Sequence, residues 1–366
     1  MSPVPLPDMH PLLIEPSAPI GSLPSYVAGR STVATGLTAA KLSSNELPFD
    51  PLPSVRAAMQ RALASVNRYP LARADDLRSA VAAYIGVDRD EVAVGAGSSG
   101  LVWQLVSAYF APGDRVVLHT PNFEAYPIAI TLARAEPVYV PMRDWVSDVE
   151  ALAASVDDKT KAVILVDPHN PTGTGVGPDA ALRLVEAVAG RALVLLDQAY
   201  LDFDRDVRAE ERLWQHHPNV VVLRTFSKAH GLAALRVGYA LAHPEVVSAL
   251  ASVSPPFAVS QVAIAAAQAS LLASDDLAER VAEVTLERDR VCSSLAQMGV
   301  TVPRSNANFI FLPSEVAPPG LVAACEAAGV IVRPIGNDGI RVSIGTRGEN
   351  DRFVETVAAL TQASTR

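Results

Sequence analysis

Residues 162–173 read Ala-Val-Ile-Leu-Val-Asp-Pro-His-Asn-Pro-Thr-Gly. Five consecutive apolar residues, three of them β-branched, make a run too short for a buried helix and too continuous for a half-solvated strand. Such a strand belongs inside a parallel sheet covered on both faces. It stops at a carboxylate, and Asn-Pro-Thr-Gly then turns the chain. Two later runs repeat the design. Residues 193–196 end in Asp197-Gln198-Ala199-Tyr200, and residues 220–223 end in Arg224-Thr225-Phe226-Ser227-Lys228, with Arg236 eight positions beyond the lysine. Further β-rich runs at 91–94, 115–119, 137–140 and 237–241 bring the number to seven, and helical periods such as 101–110 and 180–189 fill most intervals. The pattern predicts an α/β fold, with a three-layer large domain built on a seven-stranded, mostly parallel sheet.

The flanks differ in character. Residues 1–45 are rich in Pro, Ser and Gly with little periodicity and read as an N-terminal arm lying on something else. The large domain then spans 46–255. After Pro256 a long Ala-rich helical stretch runs to about Met298, and strands at 309–312, 330–332 and 340–344 complete a smaller C-terminal α/β domain over 256–366. Twenty-nine residues from Val246 to Ser274 carry no charge, but Pro255-Pro256 divides them, so two buried helices are expected and not a membrane span. The start, MSPVPLPDMHPLL, lacks the basic opening and apolar run of a signal peptide, which points to the cytoplasm.

Composition narrows the function. The 366 residues are 49% hydrophobic and 19% charged, a core-forming balance. A net charge of -9 leaves no basic stripe for nucleic acid. Cys292 and Cys325 are the only cysteines, with neither a disulfide framework nor metal-ligand spacing, so no metal is expected. Only four of the thirty basic residues are lysines: Lys41, Lys159, Lys161 and Lys228.

Gly95-Ala96-Gly97-Ser98-Ser99-Gly100 matches the dinucleotide-binding pattern literally. That reading needs an acid at the tip of the next strand, and the tip here is His119-Thr120-Pro121-Asn122. The more general reading survives: small residues let amides at a helix N-terminus approach a phosphate.

Ligands in open parallel sheets sit beyond the carboxyl ends of the strands, so an amide, a carboxylate and an amine are brought to one rim. Singly, each has a plain structural reading: a turn, a helix cap, a solvated loop lysine. The lysine census separates them. Lys159 and Lys161 lie in the charged lead-in Asp157-Asp158-Lys159-Thr160-Lys161 and are expected to be exposed, and Lys41 lies in the arm. Lys228 alone stands at a strand tip in apolar surroundings, where its pKa can fall and its amine can act as nucleophile and base.

These residues resemble the fold-type-I pyridoxal-phosphate aminotransferases, in the histidinol-phosphate and aromatic aminotransferase branch. The matching segments are Lys-Leu-Ser-Ser-Asn-Glu at 41–46, Asn-Arg-Tyr-Pro at 67–70, Asn-Pro-Thr-Gly at 170–173, Asp-x-Ala-Tyr at 197–200, Leu-Arg-Thr-Phe-Ser-Lys-Ala at 223–229, Leu-Arg at 235–236, Ala-Asn-Phe at 307–309 and Gly-Ile-Arg-Val-Ser-Ile-Gly at 339–345. They occur in family order from about residue 25 onward. The resemblance implies pyridoxal 5'-phosphate held covalently by Lys228, with Asp197 on the ring nitrogen, Asn170 and Tyr200 on the ring's O3', and Phe123 over its face. It places the phosphate on Ser98, Ser99, Ser227 and Arg236, and implies a homodimer with shared active sites in which Tyr69 reaches the neighbouring subunit's phosphate. Arg341 would bind the substrate's acidic group, with Arg333, Asn308 and Tyr26 as further substrate contacts. Gln198, His169, Ala234 and His230 depart from the usual Glu, Asn, Gly and aromatic residue. The departures fit an altered substrate pocket or neutral drift.

The expected partners are thus small molecules. Leu-Pro-Ser-Tyr at 23–26 and Pro-Leu-Pro-Ser-Val-Arg-Ala-Ala-Met at 51–59 look most like the actinobacterial-type aromatic aminotransferases. The reaction implied moves an amino group between a Phe/Tyr-type amino acid and a 2-oxo acid such as 2-oxoglutarate. A histidinol-phosphate aminotransferase and a decarboxylase or lyase of the same fold are the alternatives. An aminotransferase-like regulator would need a DNA-binding module, for which the arm is too short, and would not need Lys228.

Overall fold

The computed structural model describes residues 39–204 and 212–364, with Leu23 besides. A two-residue strand, β1 (Ala40–Lys41), precedes seven strands of one sheet: β2 (Val92–Gly95), β3 (Arg115–Thr120), β4 (Glu136–Pro141), β5 (Thr160–Val166), β6 (Leu193–Asp197), β7 (Val220–Thr225) and β8 (Gly238–Ala242). Each lies within two residues of its expected run. Their order is β2-β8-β7-β6-β5-β3-β4, and only β8 runs antiparallel to its neighbours.

Side-chain alternation along a strand divides the core into two layers. Val163 and Leu165 of β5, Val194 and Leu196 of β6 and Val222 of β7 pack with Leu77 and Leu184, on the helices Asp75–Ile85 and Pro178–Val188. Ala162, Ile164 and Val166, Leu195, and Val221 with Leu223 point the other way, to Leu101, Ile130 and Leu250 on the helices Gly97–Tyr109, Ala125–Leu132 and Pro244–Val253. The same alternation sorts the strand tips. Asp197 and Thr225 fall on the second face, while Asp167 and Gln198 fall on the first.

The C-terminal strands are β9 (Phe309–Pro313), β10 (Val330–Ile331), β11 (Arg333–Ile335) and β12 (Gly339–Ser343). β11, β12 and β9 form an antiparallel sheet, and β10 pairs in parallel with β1. Their core gathers Phe309, Ile310, Leu312, Val342 and Phe353 with Ala40 and Leu42.

Two expectations are corrected here. The single strand at 330–332 divides, because β10 takes its hydrogen bonds from the arm while β11 turns to pair with β12. The single long helix to Met298 divides into Gln261–Leu272 and Ser274–Gln297. Asp275 and Asp276 occupy the first turn of the second helix, where the positive end of the helix dipole favours acidic residues. The prolines do separate two helices, Pro244–Val253 and Gln261–Leu272, and among the described residues no helix is long and apolar enough to cross a membrane.

Candidate active site

A cavity of about 280 Å³ opens at the carboxyl ends of β5, β6 and β7, closed on one side by Arg333, Ile335 and Arg341 of the C-terminal sheet. Asn170, Asp197 and Lys228, the amide, carboxylate and amine expected at one rim, all line it, as do Ser98, Ser99, Phe123, Tyr200, Ser227 and Arg236.

One end is an anion cup. Gly97 opens the helix Gly97–Tyr109 at φ +78, and a Cβ there would lie 2.6 Å from Arg236 Nη2. A Cβ on Gly238 would lie 2.5 Å from the amide nitrogen of Ser98. Only glycine at both positions lets arginine and helix amides close in. Arg236 donates to Ser227 Oγ at 3.2 Å and to Ser99 Oγ at 3.1 Å. Its own backbone is left-handed at φ 50, a conformation that costs a non-glycine residue about 1–3 kcal/mol and persists where the surrounding structure over-determines it. Hydroxyls, amides and a guanidinium, organised without a carboxylate, fit a phosphate group.

Lys228 Nζ donates to the carbonyls of Ser44 at 3.3 Å and Asn45 at 3.1 Å, and lies 5.4 Å from the centre of the Tyr200 ring. Burial, and then the Arg341 charge, push its pKa down to about 7, with Glu46 and Asp197 pulling the other way. The other lysines are differently placed. Lys41 pairs with Glu46 at 2.8 Å, and Lys159 is exposed. Lys161, expected to be exposed, is half-buried because it falls inside β5.

Asp197 ends β6. Its Oδ2 accepts the Tyr126 hydroxyl at 2.6 Å and its Oδ1 accepts the amide of Ala199 at 3.1 Å. Burial raises its pKa, opposed by the Tyr126 hydrogen bond, the Ala199 amide and the Lys228 charge. Tyr126 was not among the sequence candidates. It is fully buried, its pKa is driven well above 10 by burial and by Asp197, and its ring meets Phe123 edge-on at 5.9 Å. The signal was available: a second aromatic three positions after Phe123, in the first turn of the helix Ala125–Leu132. Phe123 itself is aimed by Asn122, whose side chain accepts its amide at 2.7 Å.

Asn45, also unnamed as a site residue, is the hub of the opposite wall. With φ 53 it accepts Lys228 through its carbonyl, donates from Nδ2 to Tyr200 at 3.0 Å, and is tied to Ser343 of β12 through its amide at 2.7 Å. Arg341 of β12 donates to Asn170 Oδ1 at 2.6 Å and to the carbonyl of Ser43 at 2.8 Å. Arg333 of β11 donates to both carboxylate oxygens of Glu124, each at 2.8 Å.

The structure places two other sequence candidates, Asn308 and Tyr69, off the cavity wall. Asn308 is fully buried and donates to the Asn45 carbonyl at 3.2 Å. Tyr69 is 82% exposed and stacks on Phe257 with ring centres 4.5 Å apart. Tyr26 lies outside the described residues. The four departures do not line the cavity either. His169 is buried against Thr172 at 3.1 Å, His230 binds Ser270 at 2.7 Å, and Ala234 is exposed. Gln198 joins Asp167 and Asn306 around a separate cavity of about 450 Å³, as strand alternation requires.

An amine whose pKa is lowered, a buried carboxyl and an anion cup at one end of the same cavity suit the movement of amino groups, and on this sheet they define an enzyme of the transaminase class. Residues 38–357 match the family described as aminotransferase class I and II, and the chain belongs to it. It is 48% identical over 341 residues to the aromatic amino acid aminotransferase of Thermobifida fusca (strain YX), covering 93% of this chain and 95% of that relative. It is 45% identical over 339 residues to the aromatic amino acid aminotransferase of Mycobacterium tuberculosis (strain ATCC 25618 / H37Rv), covering 92% and 95%. The crystal structure of histidinol-phosphate aminotransferase from Sinorhizobium meliloti in complex with pyridoxal-5'-phosphate is similar with a TM-score of 0.88 at 28% identity, covering 96% of this chain and 99% of that one.

Proposed function

We propose that the protein is a pyridoxal-phosphate-dependent aminotransferase that moves an amino group between a phenylalanine- or tyrosine-type amino acid and a 2-oxo acid such as 2-oxoglutarate. The observation that carries the reading is Lys228, whose half-buried amine has its pKa lowered to about 7 and shares its cavity with Asp197 and the anion cup. The names of the relatives at 48% and 45% identity support the aromatic donor.

Ser98, Ser99, Ser227 and Arg236 would hold the cofactor's phosphate, Asp197 its ring nitrogen, Asn170 and Tyr200 its phenolic oxygen, and Phe123 would stand against its ring. Bound there, pyridoxal phosphate supplies an electron sink for the bond broken at the substrate's α carbon. Lys228 Nζ takes and returns the proton of that carbon. Arg341 orients the substrate by its carboxylate, bidentately, and Arg333 offers a second anion contact. In this reading Tyr69 completes the site of a second subunit, so the working form is a cytoplasmic homodimer. An arm (1–45), a large domain (46–255) and a small domain (256–366) divide the chain.

The test is kcat/KM for phenylalanine, tyrosine and histidinol phosphate with 2-oxoglutarate as acceptor. An aromatic amino acid is expected to lead. A lead for histidinol phosphate overturns the donor assignment, and carbon dioxide in place of glutamate overturns the reaction.

A pH experiment tests the amine directly. With its pKa at about 7, the neutral, nucleophilic form of Lys228 grows in as pH rises through that value. The rate at which apoprotein captures pyridoxal phosphate, followed by absorbance, is therefore expected to rise with a midpoint near pH 7 and then level. An ordinary lysine would keep gaining rate toward about pH 10, and that profile would show the amine to be unperturbed.

A further inference from the structure

Arg333 and Arg341 are directly opposed across the β11–β12 pairing, and both line the cavity. Like charges at such positions repel, so each guanidinium needs its own compensation. Arg341 is anchored from within by Asn170 and the Ser43 carbonyl. Arg333 is compensated differently. Its Nη2 holds both oxygens of Glu124, which comes from the loop after β3, 209 positions away in the chain. The exposures are unequal: the Arg333 side chain is 14% exposed and that of Glu124 is 47%.

One cavity of about 280 Å³ must serve both substrates of a transamination in turn. An aromatic amino acid brings an uncharged ring, beside which an unpaired, desolvated guanidinium would be costly. A 2-oxo dicarboxylic acid brings a second carboxylate that fits Arg333, but with Glu124 in place it meets a like charge. One member of the pair has to leave for that substrate, and the half-exposed glutamate can do so into water while the arginine is held in the sheet. Partly exposed ion pairs are weak, so a substrate group of the same chemistry can replace one.

We propose that Glu124 is an exchangeable stand-in for the distal carboxylate of the second substrate. It neutralises Arg333 while the aromatic donor is bound and yields Arg333 to the dicarboxylic acceptor. Glu124 is thereby a specificity-determining residue. The inference rests on the function proposed above.

Two unreactive analogues separate the cases: glutarate for the dicarboxylate and 3-phenylpropanoate for the aromatic monocarboxylate. Their affinities for holoenzyme are measured by calorimetry in wild type, Glu124→Gln, Arg333→Met and the double variant. Glu124→Gln is expected to tighten glutarate roughly tenfold, the scale of one charge-assisted contact, and to weaken 3-phenylpropanoate a few-fold. The KM values for 2-oxoglutarate and phenylalanine follow in the same opposite directions. Arg333→Met is expected to weaken glutarate roughly thirtyfold and to erase the effect of Glu124→Gln on it, which a double-variant cycle reads directly. A merely structural bridge would move both analogues together or leave the Glu124 effect intact without Arg333, and either result overturns the exchange. Wild-type holoenzyme that fails to transaminate phenylalanine with 2-oxoglutarate overturns the functional reading and the exchange with it. Normal wild-type turnover without the opposite shifts overturns the exchange alone.

Discussion

Lys228→Ala is expected to lower kcat at least 10⁴-fold and to leave a protein to which borohydride no longer fixes the yellow cofactor. General acid–base catalysis by a positioned side chain is worth about 10² to 10⁴, and this residue is assigned covalent attachment besides. No other lysine can replace it: Lys41 is held by Glu46, Lys159 is exposed, and Lys161 is fixed within β5. The fold should survive the change. Removing the amine leaves the carbonyls of Ser44 and Asn45 short of a donor, which costs about 1–3 kcal/mol if water does not replace it, but it also removes a partly desolvated amine that resists its charge. Circular dichroism should therefore remain native while phenylalanine turnover vanishes and the reduced protein gains no cofactor mass. An alanine variant with full activity would remove Lys228 from the mechanism.

The contrast between Lys228 and Asn45 shows which part of such a site a sequence carries. Lys228, Asp197 and Asn170 each follow an unbroken apolar run, and the run itself locates them, because a strand buried on both faces must end at the rim where polar side chains become permissible. The strand period even sorts Asp197 from Gln198 once the sheet is known. Asn45 has no such marker. Its partners Tyr200, Lys228 and Ser343 lie 155, 183 and 298 positions away, and none of these pairings leaves a local trace. Glu124 carries no mark of its own in the sequence, and the pairing with Arg333, 209 positions away, leaves no local trace either. The resemblance implies an anion contact for Arg341, but its hold on Asn170 depends on a C-terminal sheet closing over the large one. Helix continuity failed at Ala273 for a related reason: the Ala-rich periodicity persists through the break, and only the geometry shows that the acidic pair Asp275-Asp276 begins a new helix.

Asp197→Asn is the second large loss expected, on the order of 10³-fold in kcat, by analogy with the 10²- to 10³-fold cost of deleting one preorganised electrostatic partner in a water-poor site. The substitution keeps shape and removes charge. Asn Oδ1 can still accept the Ala199 amide, and its Nδ2 can donate to a Tyr126 hydroxyl turned to accept it, so both present contacts have counterparts. Burial already raises the Asp197 pKa, meaning that the ionised carboxyl is paid for by the fold and not welcomed by it. The apoprotein is therefore expected to unfold within about 1 kcal/mol of wild type, or above it, while activity collapses. A parallel loss of stability and activity would indicate a structural role instead. Tyr126→Phe separates the two contributions further. Its hydroxyl favours the charged carboxylate, so removing it raises the Asp197 pKa, and the acid limb of the kcat profile should move to higher pH. A profile that falls uniformly, with its acid limb unmoved, would show that Tyr126 packs against Asp197 without setting its charge.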